Sequence, residues 1–171
     1  EKIMNRLTKE QFLDRLADIK LLSLDTDGVL TDGGLYFTDD GEELRKINVK
    51  DGLGIQRVQA AGVKVAIITA SSTPSIAHRG RRLGVDYVFL DCDDKLETLF
   101  QICDVMGIDL DHVGHVGDDL NDLPVFDSVG CPMTVVDAAD EALSSALFVT
   151  KKKGGEGAVR EICDLIISIQ G

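Results

Sequence analysis

Asp25 and Asp27 stand two residues apart, directly after the short apolar run Leu21–Leu24, and Gly28 follows them. A carboxylate in such a place can act as a covalent nucleophile toward phosphorus. A second carboxyl beside it can protonate the leaving oxygen and afterwards activate water. A further acidic group, Asp118, Asp119 and Asp122, follows the later run Val113–Val116. Thr69 ends the run Val63–Ile68, and Lys95 comes soon after the run Tyr87–Leu90. A hydroxyl donor and a point charge are groups that can hold phosphoryl oxygens. Carboxylates gathered in this way repel one another unless a cation sits among them. Hard oxygen ligands favour Mg²⁺, which commonly takes one or two carboxylates and completes its shell with water and phosphate oxygen. The cation would also offset the repulsion between an attacking carboxylate and a phosphate dianion.

These residues converge only if the apolar runs are neighbouring strands. Continuous runs of this length suit strands buried on both faces, as in a parallel sheet. Met133–Val136 and Leu147–Thr150 are weaker candidates for further strands. Helical patterns fall between the runs. Thr8-Lys9-Glu10-Gln11 reads as a capping box with Phe12, Leu13, Leu16 and Ala17 on one helical face. Leu96, Leu99, Phe100, Cys103 and Met106 recur at helical spacing before the stop at Gly107, and Val159, Ile162, Cys163 and Ile166 form a similar stripe. Both stripes read as helices packed on a sheet. The alternation implies a doubly wound, Rossmann-like α/β fold with right-handed crossovers, in which sites form at the carboxyl ends of strands. One segment breaks the alternation. About 33–49, two extended stretches, Leu35–Phe37 and Leu44–Val49, flank an Asp-Gly turn, which predicts a β-hairpin projecting after the first strand.

The chain of 171 residues is expected to form a single domain over 1–171 with that hairpin as an insertion. Its 18 Lys and Arg against 30 Asp and Glu give a net charge of −12, which argues against nucleic acid and anionic membranes as partners. No apolar stretch approaches the roughly 20 residues of a membrane span. Glu1–Arg6 lacks the apolar core of a signal peptide. Cys92, Cys103, Cys131 and Cys163 form no C-x-x-C pair and lie among apolar residues, so they read as buried reduced thiols of a cytoplasmic protein. His78, His112 and His115 show no metal-ligand spacing and read as surface or strand-end residues, with His78 a candidate to meet substrate or a neighbouring subunit.

Asp25-Thr26-Asp27-Gly28-Val29-Leu30-Thr31-Asp32-Gly33 resembles the first motif of the haloacid dehalogenase superfamily of phosphohydrolases. Thr69 fits the second motif, Lys95 the third and Gly117-Asp118-Asp119-Leu120-Asn121-Asp122 the fourth, in order and spacing. Asn48-Val49-Lys50-Asp51-Gly52 and Gly154-Gly155-Glu156-Gly157-Ala158-Val159-Arg160-Glu161 are similar to its small-cap branch, which acts on phosphorylated keto-deoxy sugar acids and carries a β-hairpin in place of a cap domain.

The resemblance implies a Mg²⁺-dependent phosphomonoesterase with Asp25 as nucleophile and Asp27 as general acid and base. It implies metal binding by the side chains of Asp25 and Asp118 and the backbone carbonyl of Asp27. Asp119 and Asp122 would lie behind the ligands or orient Lys95. Thr69, Lys95 and main-chain N–H groups around Asp27 and Gly28 would hold the phosphoryl group. Lys50, Arg79 and Arg160 are possible contacts to the sugar acid. The branch is typically homotetrameric, the hairpin of one subunit closing a neighbour's site. The implied substrate is 3-deoxy-D-manno-octulosonate 8-phosphate, with a nonulosonate (sialic-acid-type) 9-phosphate as the alternative. A non-catalytic module associated with a sugar-nucleotide synthetase is a different reading. So is a phospho-accepting receiver domain, but that would not need Asp27. One departure from the family pattern is Ala70, where glycine often follows the second-motif threonine; it adds a Cβ near the phosphate position. Arg79–Arg82 otherwise reads as a solvated helix face, Lys151–Lys153 as a soluble loop, and Gly154-Gly155 as a tight turn.

Overall fold

The computed structural model describes residues 7–171, and Glu1–Arg6, read above for a signal peptide, lies outside the described residues. Six short strands form one parallel sheet: β1 (Leu21–Leu24), β4 (Lys64–Ile68), β5 (Tyr87–Phe89), β6 (Val113–Val116), β7 (Cys131–Thr134) and β8 (Phe148–Val149). Their order is β5-β4-β1-β6-β7-β8. From β1 the chain builds outward through β4 to β5, then returns to the other side of β1 to start β6. The reversal places a crevice beyond the carboxyl ends of β1 and β6, where ligands of open α/β sheets bind.

Helices cover both faces. Thr8 caps α1 (Lys9–Ala17) through a complete capping box with Gln11, as its spacing indicates. That helix, α2 (Val49–Ala60), α3 (Pro74–Leu83) and α7 (Ala158–Gln170) pack on one face, where Leu16, Ile55, Ile76, Ile162 and Ile166 meet Leu22, Leu24, Val65 and Ile67. On the other face α4 (Lys95–Met106) and α5 (Leu123–Phe126) bring Leu99, Ile102, Cys103 and Val125 against Leu21, Ala66 and Ile68. Alternate residues of one strand thus serve opposite layers, as the pleat requires. A short α6 (Asp140–Ser145) precedes β8.

In the α7 stripe, Val159, Ile162, Cys163 and Ile166 are all fully buried. In the α4 stripe Leu99 and Cys103 are buried and Leu96 and Met106 pack against the same core, but Phe100 is half exposed and Ile102 takes a buried place instead. Gly107 ends it in the left-handed conformation. All four cysteines are buried and unpaired.

Strands β2 (Tyr36–Phe37) and β3 (Glu43–Leu44) form the antiparallel hairpin. It is shorter than its sequence pattern suggests. After Leu44 only Ile47 pairs again, by an isolated bridge to Thr31. Val49, expected to be extended, is the first residue of α2. The Asn48 side chain accepts the Lys50 N–H at 2.8 Å, an N-cap that turns the chain into helix there.

Candidate active site

The β1 strand runs straight into Asp25, which sits almost fully buried at the crevice floor. Its Oδ1 accepts the Thr26 N–H at 2.7 Å, and its Oδ2 lies 3.0 Å from Lys95 Nζ. Lys95 reaches this point because it opens α4, whose N-terminus Asp94 caps by accepting the Glu97 N–H. The ammonium also donates to Asp122 Oδ1 at 2.7 Å. Asp122, on the turn after β6, turns its other oxygen back to accept the N–H groups of Asp118 and Asp119 at 3.0 and 3.4 Å. Both of its oxygens are therefore engaged by the protein. Asp25, Asp118 and Asp122 place carboxylate oxygens within 4.8 Å of one another.

The electrostatics follow from burial. Asp25 is pushed up to about 6, first by loss of water and then by Asp122, against the pull of Lys95. Asp118 is pushed up to about 7 by burial and by the charges of Asp25, Asp122 and Asp119. Burial also penalises Asp122, but donation from His115 and the Lys95 charge outweigh it and hold it well below the usual range. Lys95 loses hydration, yet its two carboxylate partners raise it. Raised carboxyls packed this closely are what a divalent cation would relieve. The oxygens of Asp25 and Asp118 fit that role, whereas Asp122 is already saturated by its donors.

The open cleft above this floor is lined by Asp25, Asp27, Gly33, Thr69, Ala70, Ser71, Asp118, Asp119 and Asn121. Thr69 accepts the Ser71 N–H on Oγ1, which leaves its own hydroxyl proton for a ligand. Its loop is tied to the next one by Cys92 N–H to Thr69 O and Asp91 N–H to Ser71 O. Ala70 is exposed on the cleft wall and avoids the left-handed region, where Asp91 is the one described non-glycine residue. The extra Cβ is therefore accommodated without strain. Asp119 is exposed and accepts the Leu120 N–H, capping its own turn; it orients no lysine.

Gly28 has φ +81°, and a Cβ built on it would overlap the Asp118 carboxylate. Its N–H donates to Thr31 Oγ1 at 3.2 Å, so the loop itself takes the amide expected to face phosphate. What the fold demands here is the missing side chain. Gly154 and Gly155, expected to make a tight turn, also lay the C-terminal loop against this one: a Cβ on Gly154 would overlap Gly28 O, and Gly155 N–H donates to Val29 O.

Three candidate substrate contacts fall elsewhere in the chain. Lys50 and Arg160 line a separate groove with Lys151, Lys152, Glu156 and Glu161. The Arg160 guanidinium is engaged by Asp164, while the Arg160 backbone N–H donates to the buried Asp51 carboxylate. Arg79 lines a small cavity behind the hairpin with Thr26, Arg45, Ile47 and Ile76. None of the three lines the Asp25 cleft.

Two residues of the site escaped the sequence reading. Arg45, just past β3, places Nε 2.6 Å from Asp27 Oδ1 and Nη1 2.7 Å from Thr73 Oγ1, with Glu43 also paired to it. Its only sequence signal was a cation in the hairpin. His115 was read as a surface or strand-end residue and is instead fully buried. Only the strand register, which sets it across from Ser23, explains this. His78 is exposed and His112 partly buried.

Residues 91–162 match the family model described as haloacid dehalogenase-like hydrolase. The 3-deoxy-D-manno-octulosonate 8-phosphate phosphatase of Yersinia pestis is 39% identical over 161 residues, covering 94% of this chain and 86% of that protein. The crystal structure of the Moraxella catarrhalis 3-deoxy-D-manno-octulosonate 8-phosphate phosphatase in complex with magnesium ion, phosphate ion and KDO superposes with a TM-score of 0.92 at 34% identity, over 95% of this chain and 94% of that one. A probable phosphatase from Pseudomonas syringae gives 0.93 at 42% identity, over 95% and 93%. By sequence and by fold, the chain belongs to the haloacid dehalogenase-like hydrolases, in the family of the 3-deoxy-D-manno-octulosonate 8-phosphate phosphatases.

Proposed function

We propose that the protein is a Mg²⁺-dependent phosphomonoesterase that hydrolyses 3-deoxy-D-manno-octulosonate 8-phosphate through an aspartyl-phosphate on Asp25. The observation that carries this reading is the placing of Asp25 and Asp27 on one cleft with Lys95 held 3.0 Å from the first. Family membership and the similarity to a phosphatase bound to magnesium, phosphate and KDO support the same substrate and metal.

In the first step the Asp25 carboxylate attacks phosphorus, the phosphorus–sugar oxygen bond breaks, and protonated Asp27 gives its proton to the departing sugar oxygen. In the second step Asp27, now a carboxylate, takes a proton from water. That water attacks the phosphorus, the bond to Asp25 breaks, and inorganic phosphate leaves. Lys95 and Thr69 hold phosphoryl oxygens in both steps. The carboxylates of Asp25 and Asp118 and the Asp27 carbonyl would hold Mg²⁺, which when bound would supply the charge neutralisation that lets a carboxylate approach a dianion. Asp122 stands behind these ligands as the anchor of Lys95, while Asp119 lines the cleft mouth.

The reading extends to organisation. Residues 1–171 form a single phosphatase domain in which the hairpin at about 33–49 replaces a cap, and the active species is a cytoplasmic homotetramer. Tyr36 and Phe37 are more than 60% exposed on the hairpin, with Leu44 exposed across from Tyr36, apolar surface that supports burial against another copy. Unpaired buried cysteines accord with a reducing compartment. No helix among the described residues is long and apolar enough to cross a membrane. In a tetramer Lys50, Arg79 and Arg160 would meet the sugar acid of a neighbouring site.

The test is phosphate release from a panel of phosphorylated sugars and sugar acids with Mg²⁺ present. Preference for 3-deoxy-D-manno-octulosonate 8-phosphate is expected. Preference for a nonulosonate 9-phosphate would correct the substrate, and absence of release from every compound would contradict the enzyme reading.

A further inference from the structure

We propose that His115 is a positioning residue for the nucleophile: from beneath the cleft it fixes Asp122, and through Asp122 the Lys95 ammonium that holds Asp25. The proposal rests on the reading of Asp25 as the reacting carboxylate.

The geometry is a buried chain of polar groups. Ser23 on β1 and His115 on β6 are direct cross-strand partners. Both are fully buried, on strands whose other side chains, Leu21, Leu22, Leu24, Val113 and Val116, are apolar and buried. His115 Nδ1 lies 2.9 Å from Ser23 Oγ, and Nε2 lies 2.9 Å from Asp122 Oδ1. Asp122 as a carboxylate only accepts, so Nε2 carries the proton, and Nδ1 is paired with the Ser23 hydroxyl. The same Asp122 oxygen takes Lys95 Nζ, whose other carboxylate is Asp25. Phe126 stands edge-on to the imidazole with ring centres 5.9 Å apart and closes that side.

An apolar pair would fill this place in the sheet and need no partners, whereas buried polar groups are costly unless each is bonded. Here every link is made, and the chain ends at Asp25. Without the Nε2–H, Asp122 Oδ1 keeps Lys95 as its sole donor, and the carboxylate is free to turn about its remaining backbone bonds. Lys95 then loses the fixed post that sets its distance from Asp25.

His115→Leu removes the donor; His115→Gln keeps an N–H at nearly the same reach; Ser23→Ala frees the ring. In His115→Leu, kcat on 3-deoxy-D-manno-octulosonate 8-phosphate should fall by about tenfold or more with KM within about twofold, the signature of lost transition-state positioning. His115→Gln should recover most of it. A second readout needs neither metal nor turnover: the ¹H–¹⁵N signal of the buried Lys95 ammonium in the metal-free protein. It should be sharp in the wild type and in His115→Gln, and broadened beyond detection in His115→Leu. Should His115→Leu fail to fold, Ser23→Ala carries the test, with a severalfold fall in kcat and a broadened ammonium signal expected. Unchanged kcat together with an unchanged Lys95 signal, in whichever of the two variants folds, would overturn the proposal. A wild type that leaves this substrate untouched would refute the substrate reading alone, and the ammonium signal would then decide the role of His115.

Discussion

Arg45 clasps Asp27 from the hairpin side, with Nε 2.6 Å from Oδ1 and Nη2 3.3 Å from Oδ2. Its side chain is only 5% exposed although it follows a strand whose own residues face solvent. Asp27 and Glu43 raise the already high pKa of this guanidinium, the hydrogen bond it donates to Asp27 most of all. Through Thr73, the same side chain ties the hairpin to the loop after β4. Hairpin and proposed acid/base are therefore one mechanical unit.

Arg45→Ala should cut kcat by about tenfold while leaving the circular dichroism spectrum unchanged, because a two-point clasp fixes the carboxylate direction. Arg45→Lys, with a single point charge, should fall between the two. Steady-state phosphate release measures both. An Ala variant as active as the wild type would remove Arg45 from the machinery.

Gly28→Ala should be damaging out of proportion to one methyl group. The position has positive φ and the new Cβ would overlap the Asp118 carboxylate. Backbone strain of this kind costs about 1–3 kcal/mol, and displacement of Asp118 should weaken Mg²⁺ binding. Thermal unfolding and Mg²⁺ titration calorimetry check the two effects separately. Wild-type Mg²⁺ affinity in this variant would contradict the assignment of Asp118 as a ligand.

The raised carboxyls make the metal-free protein sensitive to pH. Asp25 at about 6 and Asp118 at about 7 bind protons more tightly folded than unfolded, where the ordinary value is 3.8. Their stabilising contribution is full below that value and is lost as the pH rises through 6 and 7. Metal-free Tm should therefore fall between pH 5 and pH 8 by about several degrees, and Mg²⁺ should restore it at the upper end. Asp118→Asn should flatten the fall and abolish the Mg²⁺ shift. Thermal scans with and without EDTA measure this; a metal-free Tm that rises over the same span would contradict it.

Replacing Tyr36 and Phe37 together by Ser removes the most exposed aromatic residues of the hairpin. Sedimentation velocity should show the wild type as a tetramer and the double variant as smaller species, with reduced discrimination among sugar acids. A tetramer that survives both changes would place the interface elsewhere.

The parallel sheet and the cleft at its carboxyl edge were legible because they follow from the apolar runs and from strand-ending aspartates. The placing of Asp25, Thr69 and Asp118 just past strand ends, and of Lys95 at a helix start, needed only one-dimensional pattern. Arg45 and His115 were not legible, for a shared reason. Arg45 acts on Asp27, which lies ahead of the hairpin on the loop after β1, and His115 pairs with Ser23 across the sheet while holding Asp122 on the turn after its own strand. Register decides such pairs, and a single sequence does not carry it. Val49 was misassigned because the Asn48 cap outweighs the extended preference of the residues before it. Lys50 and Arg160 were placed with the substrate by motif alone, and within one protomer they share a different groove.

The central claim is that Asp25 becomes phosphorylated. The direct measurement is acid-quenched mass spectrometry of enzyme mixed with 3-deoxy-D-manno-octulosonate 8-phosphate and Mg²⁺, beside the Asp25→Asn variant. A phosphoryl group on the peptide bearing Asp25 is expected in the wild type within the first turnover. In the variant it should be absent, with phosphate release lowered by about a thousandfold or more. Phosphate release at the wild-type rate from Asp25→Asn would contradict the claim outright.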